Sequence, residues 1–366
     1  MSKNILRGAI QKVATGPEFS KNISEEESYN SMLNILDSTI DPVQAAIYLI
    51  AMRMKRETMD ENIGSLKALI DKSNIITADV DELLDIAEPY NGFLRNTPLS
   101  AFLPAVFAAV GMPCVTHGVE NVGPKFGLTT RRILKTAGIN VDKNSQQVTD
   151  SLSNKEIGWS YIDQEKFCKP LHELIDLRTR MVKRTLLTTI EVLVGPIRAK
   201  NKTHLLTGYV HAAYPQVYTD LAKVSGFNSA VLVKGVEGGV SPALRGDGKV
   251  FYYLDNDEMK EIKFNPKNIS IEQNIRAVPL PNLEKQPEGK LDEISCDINI
   301  DDFSIKASEI GLEALDGKDG SAKDTLIYTG ALTLSLIKKI DFNNAADQIK
   351  KAINSGKAKE FFYNAI

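Results

Sequence analysis

The chain has few cysteines and no long apolar run, and these absences exclude several classes of protein. Its 366 residues include three cysteines, Cys114, Cys168 and Cys296, which lie far apart and share no short motif. This spacing argues against a disulfide framework and against a zinc site. No apolar run reaches the roughly 18 residues that a membrane helix needs, and the N-terminal segment lacks the apolar core and cleavage site of a secretory signal. We therefore expect a cytoplasmic protein with no membrane partner.

Familiar catalytic motifs are missing as well. The sequence contains no P-loop, no G-x-S-x-G elbow, no H-E-x-x-H and no G-x-G-x-x-G turn. Its net charge of −3 argues mildly against a dedicated nucleic-acid binder. That total hides an uneven distribution. Nine basic residues stand against three acidic ones between Lys166 and Lys202, a local charge of +6, and nine stand against 17 between Asp247 and Asp319, a local charge of −8.

The first 75 residues carry the signals of consecutive helices. Ser24 with Glu27, and Thr58 with Glu61, have the spacing of capping boxes, and Asp41 precedes a proline as an N-cap would. Short connections between such helices predict a helical bundle. We therefore expect a helical domain over residues 1–75, with part of 160–190 packed on it.

From residue 83 onward, short apolar runs alternate with helical patterns. This alternation predicts an α/β domain with a mostly parallel central sheet over residues 76–366. An acidic segment at 246–320 is predicted to be rich in strands and loops. The predicted strands are 83–87, 112–118, 203–209, 229–234, 251–254 and 269–271, and the predicted helices are 99–110, 131–137, 215–224, 326–337 and 344–355.

Ligands of open α/β sheets bind beyond the carboxyl ends of the strands, so the loops there are the candidate site. The first of these loops spans residues 88–100. Asn96 and Ser100 lie near the N-terminus of the helix predicted to follow, where free N–H groups favour an anion. An ordinary turn before a capped helix would have the same composition.

The second loop, residues 116–127, follows a predicted strand. Its glycines, Gly118 and Gly127 among them, and Lys125 could bring N–H groups and a cation to a phosphate. His117 lies at the strand end, and we interpret it as a ligand contact rather than as an acid or base.

Two further loops contain charged candidates. Arg178 and Arg184 are six residues apart, about 240° around one helix, so they converge only if that helix ends or bends between them. Arginine forks suit phosphate or carboxylate, although an exposed basic face is the ordinary alternative. In residues 234–241, Glu237 stands alone among glycines, and a single carboxylate makes a poor Mg²⁺ site. A plain glycine-rich turn is the alternative there.

Several ordered segments resemble one known family. They are residues 51–58, similar to "A-L-R-M-K-G-E-T"; residues 116–139, similar to "K-H-G-N-R-S-V-S-S-K-S-G…A-L-G-I"; Arg178 with Arg184 and Thr185, similar to an "R…R-T" pair; Gly195-Pro196; and residues 352–358. The chain thus resembles the anthranilate phosphoribosyltransferase family of family 3 glycosyltransferases.

The resemblance implies a cleft between a small helical domain and a larger α/β domain. It also implies transfer of phosphoribose from phosphoribosyl pyrophosphate to an aromatic amine, with Mg²⁺ as cofactor, in a homodimer. The ligand-binding residues that it implies are Asn96, Ser100, His117, Gly118, Lys125, Gly127, Arg178, Arg184 and Glu237.

The family's pyrophosphate and metal motifs are replaced here. Its "G-T-G-G-D" loop reads EPYNG at residues 88–92, its "K-H-G-N" reads THGV at 116–119, and its acidic "D-E" pair falls on Val240 and Ser241. We therefore expect Mg²⁺ only if phosphoribosyl pyrophosphate binds, and we do not expect the anthranilate reaction.

Two functions follow from this altered cleft. The first is binding of a sugar-phosphate or nucleotide-like anion, with glycosyl transfer if the protein is catalytic. The alternative is a non-catalytic homodimer that binds nucleic acid through the basic segment between Lys166 and Lys202.

Overall fold

The computed structural model describes residues 2–282 and 299–366, so Cys296 and residues 283–298 of the acidic segment lie outside the described chain. Its α-helices are α1 (Ser2–Val13), α2 (Glu25–Leu36), α3 (Pro42–Lys55), α4 (Met59–Asp71), α5 (Leu103–Ala109), α6 (Thr130–Thr136), α7 (Ser145–Ser153), α8 (Gln164–Phe167), α9 (Lys169–His172), α10 (Ile175–Met181), α11 (Leu187–Ile190), α12 (Tyr214–Val224), α13 (Ile300–Leu315), α14 (Ser321–Lys338), α15 (Phe342–Asn354) and α16 (Lys357–Tyr363). Its strands are β1 (Ile76–Thr77), β2 (Glu82–Ala87), β3 (Cys114–Gly118), β4 (Trp159–Asp163), β5 (Ile197–Arg198), β6 (Lys202–Gly208), β7 (Ser229–Val233), β8 (Gly248–Tyr253) and β9 (Lys260–Phe264).

The N-terminal helices begin where the sequence places their caps. Ser24 and Thr58 each accept a hydrogen bond from the backbone N–H three residues later, and both capping boxes are complete. Helices α2 and α4 pack closely, since a Cβ at Gly64 would lie 2.2 Å from the carbonyl oxygen of Glu25. The predicted helical bundle is therefore confirmed.

The main sheet has the strand order β4-β3-β2-β6-β7-β8-β9. The first five strands are parallel to their neighbours, whereas β8 and β9 pair antiparallel at one edge. The fold class predicted from the sequence, a helical bundle joined to an α/β unit with a mostly parallel sheet, is confirmed.

Strand β2 shows how the sheet divides the core. Leu84 and Ile86 belong to the cluster formed with α5 and α13–α16, whereas Leu83 and Ala87 belong to the cluster that contains the N-terminal helices and α12. Successive side chains of a strand point to opposite faces, so this central strand contributes to both cores.

Three predicted elements differ from the structure. Residues 99–110 begin as a 3-10 turn, Leu99–Phe102, before α5, since Pro104 has no N–H to continue an α-helical ladder. The strand predicted at 269–271 is wrong, because Pro266–Ile269 forms a 3-10 turn capped by Asn265. The segment at 246–320 does contain β8 and β9, but it also contains helix α13.

Helix α13 carries ordinary start signals in an unusually acidic setting. Asn299 caps it, Asp301 and Asp302 occupy its first turn, and Phe303 and Ala307 are buried along one face. Acidic residues in a first turn stabilise a helix through its dipole, so Asp301 and Asp302 favour this helix.

Within residues 2–282 and 299–366, no helix combines the length and the apolar character that spanning a bilayer requires.

Candidate functional site at the carboxyl ends of the strands

The loops after β2 and β3 meet at the carboxyl edge of the sheet and are held together by backbone contacts. The N–H of Phe93 donates to the carbonyl of Leu128, and the N–H of Leu128 donates to the carbonyl of Phe93, both at 2.9 Å. A Cβ at Gly127 would lie 2.5 Å from the nitrogen of Phe93, so only glycine allows this approach. This close backbone approach is enough to require glycine at position 127, and no ligand contact is needed to explain it.

The carboxylate of Glu237 reaches from the loop after β7 into these two loops. It accepts hydrogen bonds from the N–H groups of Leu94, at 3.0 Å, and Arg95, at 2.8 Å, and it pairs with the ammonium of Lys125. The Lys125 ammonium also donates to the carbonyl of Gly92 at 2.7 Å. We call the N–H groups of Leu94 and Arg95 with the Lys125 ammonium the donor nest.

The pair inside the donor nest is largely shielded from water. The side chains of Lys125 and Glu237 are 9% and 8% exposed. Burial lowers the pKa of Lys125, and the nearby carboxylate opposes that effect. Glu237 has a left-handed backbone, with φ of 56°, which is unfavourable for a residue with a Cβ.

A second carboxylate, that of Glu88, accepts hydrogen bonds from donors next to those that bind Glu237. The hydroxyl of Ser100 donates to it at 2.6 Å, and the N–H of Val240 donates to it at 3.0 Å. Burial raises the pKa of Glu88 above its ordinary value. Ser100, which the resemblance implies as a ligand contact, therefore binds a carboxylate of its own chain.

A cavity of about 130 Å³ opens beside these loops. Its lining combines cationic side chains with aromatic ones and with the backbone of glycines. The lining residues are Arg53, Pro89, Asn91, Arg184, Thr185, Thr188, Thr189, Gly208, Tyr209, Val210, His211, Tyr214, Tyr218, Glu237 and Gly238.

Arg178 and Arg184 are placed differently although they share one segment. Helix α10 ends at Met181, and Val182 adopts a left-handed backbone, so the chain turns between the two arginines. Arg178 is buried and donates two hydrogen bonds of 2.7 Å to the carboxylate of Glu191. Arg184 is exposed and lines the cavity.

His117 lies inside the molecule rather than in the cavity lining. Its Nδ1 forms a hydrogen bond with the hydroxyl of Tyr90, and its Nε2 lies 2.9 Å from a carboxylate oxygen of Asp85. No hydrogen bond joins this second pair, and among the described residues the His117 Nε2 and both Asp85 oxygens have no hydrogen-bond partner. Burial raises the pKa of Tyr90 well above its ordinary value, so its hydroxyl stays neutral.

Gly118 and Asn96 complete the set of sequence-derived candidates. A Cβ at Gly118 would make an ordinary 3.5 Å contact with the hydroxyl of Tyr161, so this position tolerates a side chain. Asn96 is 8% exposed, and its side-chain N–H donates weakly to the carbonyl of Thr97 at 3.5 Å. Neither residue lines the cavity.

The sequence reading missed three kinds of cavity residue. Arg53 stands in the segment 51–58 that resembles the family, so a signal for it was present. Tyr209 and His211 follow β6. The sequence alone does not show that β6 lies beside β2, so it gives no reason to expect these residues near the loop after β2. Tyr214 stands at the start of a helix, where aromatic residues carry no general signal for a ligand.

The resemblance places the family's acidic pair on Val240 and Ser241, and these two residues offer no carboxylate to Mg²⁺. Val240 is fully buried, and Ser241 contributes a hydroxyl rather than a carboxylate. Mg²⁺ is usually held by one or two carboxylates with water and phosphate. Across residues 2–282 and 299–366, no three His, Cys, Asp or Glu side chains form a group able to hold a metal ion.

The basic segment between Lys166 and Lys202 is largely neutralised by acidic neighbours. Besides Arg178, its ion pairs are Lys166 with Glu165, Lys169 with Glu173, Arg180 with Asp176, Lys200 with Asp79, and Lys202 with Asp255. Six of the nine basic side chains in this segment therefore have a carboxylate partner.

Comparison with protein families matches two parts of the chain. Residues 7–73 match the helical bundle domain of the glycosyl transferase family, and residues 93–279 match the a/b domain of the same family. The anthranilate phosphoribosyltransferase of Petrotoga mobilis is 23% identical over 351 residues, covering 95% of this chain and 92% of that protein. An uncharacterized protein of Aquifex aeolicus is 23% identical over 239 residues, covering 65% and 71%.

Solved structures share the fold of this chain. The anthranilate phosphoribosyltransferase of Saccharomyces cerevisiae in complex with PRPP and Mg has a TM-score of 0.78 at 16% identity, covering 99% of this chain and 97% of that chain. The enzyme of Thermus thermophilus has a TM-score of 0.73 at 16% identity, covering 99% and 98%. The chain therefore belongs to the family 3 glycosyltransferases, as an anthranilate phosphoribosyltransferase-like protein.

Proposed function

We propose that this cavity binds a small anion of sugar-phosphate or nucleotide-like chemistry that carries a flat ring. The observation that carries the proposal is the lining of the cavity, in which Arg53 and Arg184 occur together with Tyr209 and Tyr214. Guanidinium forks bind phosphate and carboxylate oxygens in pairs. Tyrosine rings stack on flat rings and bury apolar area.

The size of the cavity limits what it holds. An apolar cavity of about 150 Å³ accommodates a benzene molecule. At about 130 Å³, this cavity has room for one ring. The charged part of a larger ligand would therefore lie towards Arg184, whose side chain is exposed.

The yeast relative was solved with PRPP and Mg, but the proposal does not extend the metal to this chain. Val240 and Ser241 stand where the family resemblance expects an acidic pair, and no step is routed through Mg²⁺. If the protein is catalytic, its family implies transfer of a pentosyl group, and anthranilate is not the acceptor that we propose.

Calorimetric titration of the purified protein tests this function. The ligands are cytidine 5′-monophosphate, ribose 5-phosphate and phosphoribosyl pyrophosphate, each with and without Mg²⁺. We expect Arg184→Gln to weaken binding of the nucleotide at least about tenfold, since a hydrogen bond to a charged group contributes about 1.5–3 kcal/mol. The matched control is Arg180→Gln, which removes an exposed arginine that pairs with Asp176 and leaves the cavity unchanged. Absence of heat with every ligand at millimolar concentration would overturn the proposal.

We do not propose nucleic-acid binding as a second function, because most cations of the basic segment are paired with carboxylates of this chain. Oligonucleotide titration at several salt concentrations tests that choice. Binding that weakens steeply with salt and is lost in Lys183→Gln would reverse it.

A further inference from the structure

We propose that the donor nest is a binding site for an external oxyanion and that Glu237 is an internal plug which a ligand phosphate displaces. The inference rests on the proposed function, because it names where the phosphate of the ligand would bind. Two adjacent backbone N–H groups and an ammonium converge on one carboxylate. This combination of donors also binds phosphate in proteins, because it presents fixed positive dipoles and a full positive charge to an anion.

The plug stands at the boundary between the nest and the cavity. Glu237 places its carboxylate in the nest and also lines the cavity, so the residue contacts both. The cavity alone holds about one ring. Removal of the carboxylate from the nest would join the two spaces and admit a phosphate next to that ring.

Displacement would not leave the Glu237 carboxylate without a cation. The guanidinium of Arg184 lies within electrostatic range of Glu237 and lines the same cavity. The guanidinium has five N–H donors, so Arg184 can bind a rotated Glu237 carboxylate while it still donates to the ligand anion, as the proposed function requires. The left-handed backbone at Glu237 also means that this residue is held in place by its contacts rather than by its own conformational preference.

The nest differs from the neighbouring carboxylate site of Glu88. Glu88 accepts from one hydroxyl and one N–H, with no ammonium in either hydrogen bond. An anion entering there would meet less positive charge and a fully buried environment. The proposal is therefore confined to Glu237.

The experiment measures binding of inorganic phosphate by calorimetry to the full-length protein and its variants. In Glu237→Gln and Glu237→Gly we expect phosphate to bind at least tenfold more tightly than in the unmodified protein. Glycine removes the plug and fits a φ of 56°, whereas glutamine keeps the side-chain volume and removes the charge. Addition of Lys125→Met to either variant should abolish the gain.

Glu173→Gln is the matched control, because it removes a carboxylate from an exposed ion pair with Lys169. It should leave phosphate binding unchanged. Equal phosphate affinity in the unmodified protein and both Glu237 variants would overturn the plug. So would a gain that survives Lys125→Met.

The two proposals fail separately. If cytidine 5′-monophosphate binds the unmodified protein through Arg184 but the Glu237 variants gain no phosphate affinity, the plug is wrong and the proposed function stands. If the variants gain phosphate affinity but no ring-containing ligand binds, the proposed function is wrong and the oxyanion site stands.

Discussion

Two buried ion pairs, Arg178 with Glu191 and Lys125 with Glu237, have similar exposure and different surroundings. Glu191 receives both branches of the Arg178 guanidinium and a further bond of 3.3 Å from the side chain of Gln164. All three side chains are buried.

The Lys125 pair instead lies on loops beside a cavity, and its carboxylate is held mainly by backbone N–H groups. The donors of the first pair are side chains fixed by packing, so a ligand cannot replace Glu191 without unfolding the site. The donors of the second pair would remain in place if Glu237 left. The burial of an ion pair therefore does not show whether the pair stabilises the fold or belongs to a binding site. The residues around the pair show which of the two applies.

The largest expected effect is on the core pair. Arg178→Met should lower the free energy of unfolding by about 3–5 kcal/mol, because it leaves the Glu191 carboxylate buried without its cation. Urea denaturation followed by circular dichroism measures the loss. The double variant Arg178→Met with Glu191→Leu should recover much of it, since a well-packed apolar pair avoids the unpaired charge. A loss below about 1 kcal/mol in the single variant would show that the pair does not stabilise the fold as its geometry indicates.

The buried histidine His204 provides the next comparison. His204 on β6 lies 4.0 Å from the Glu82 carboxylate, and burial lowers its pKa to about 4. In the unfolded chain a histidine has a pKa of about 6.5. As pH falls from about 6.5 to about 4 the unfolded chain gains a proton that the folded protein does not, so the stability should fall by up to about 3 kcal/mol.

Urea denaturation at several pH values, on the unmodified protein and on His204→Gln, isolates this effect. The difference between the two proteins should grow as pH falls through that window. Glu88 acts in the opposite direction, because its raised pKa contributes stability that is lost as pH rises. A constant difference between the proteins would show that His204 is not the titrating group.

The cleft pair should matter less for stability than the core pair. Lys125→Met should lower the free energy of unfolding by about 1–3 kcal/mol, because Glu237 keeps two N–H donors. The same denaturation series measures it. A loss equal to that of Arg178→Met would remove the distinction between the two pairs.

The smallest effect is expected at the exposed pair of Arg180 with Asp176, whose side chains are 62% and 77% exposed. Arg180→Gln should change the stability by less than about 0.5 kcal/mol, since water screens such pairs. Thermal denaturation of this variant sets the baseline for the series. A larger change would mean that the end of α10 depends on this contact.

Local signals in the sequence predicted the fold more successfully than the site. The caps at Ser24 and Thr58 and the apolar runs of β2 and β6 depend on neighbouring residues, so they could be read directly. Gly127 is different: the sequence predicts it in a phosphate-binding loop, whereas its need for glycine comes from the close approach of Phe93.

The site depends on contacts between residues that are distant in the chain. Leu94 and Glu237 are 143 residues apart, and nothing local shows that the carboxylate of one would meet the N–H of the other. Arg178 and Arg184 have the same chemistry in the sequence, and only the partner Glu191 and the turn at Val182 separate their environments.

The backbone pairing of Phe93 with Leu128 affects how tightly this cavity can bind a ligand. Because the paired backbones of Phe93 and Leu128 already hold both loops, an incoming anion would not have to order either of them. Ordering of loops and side chains is one of the main entropic costs of association. Affinity at this cleft should therefore follow the competition between charges, and it should respond to salt concentration far more than to the length or composition of the loops.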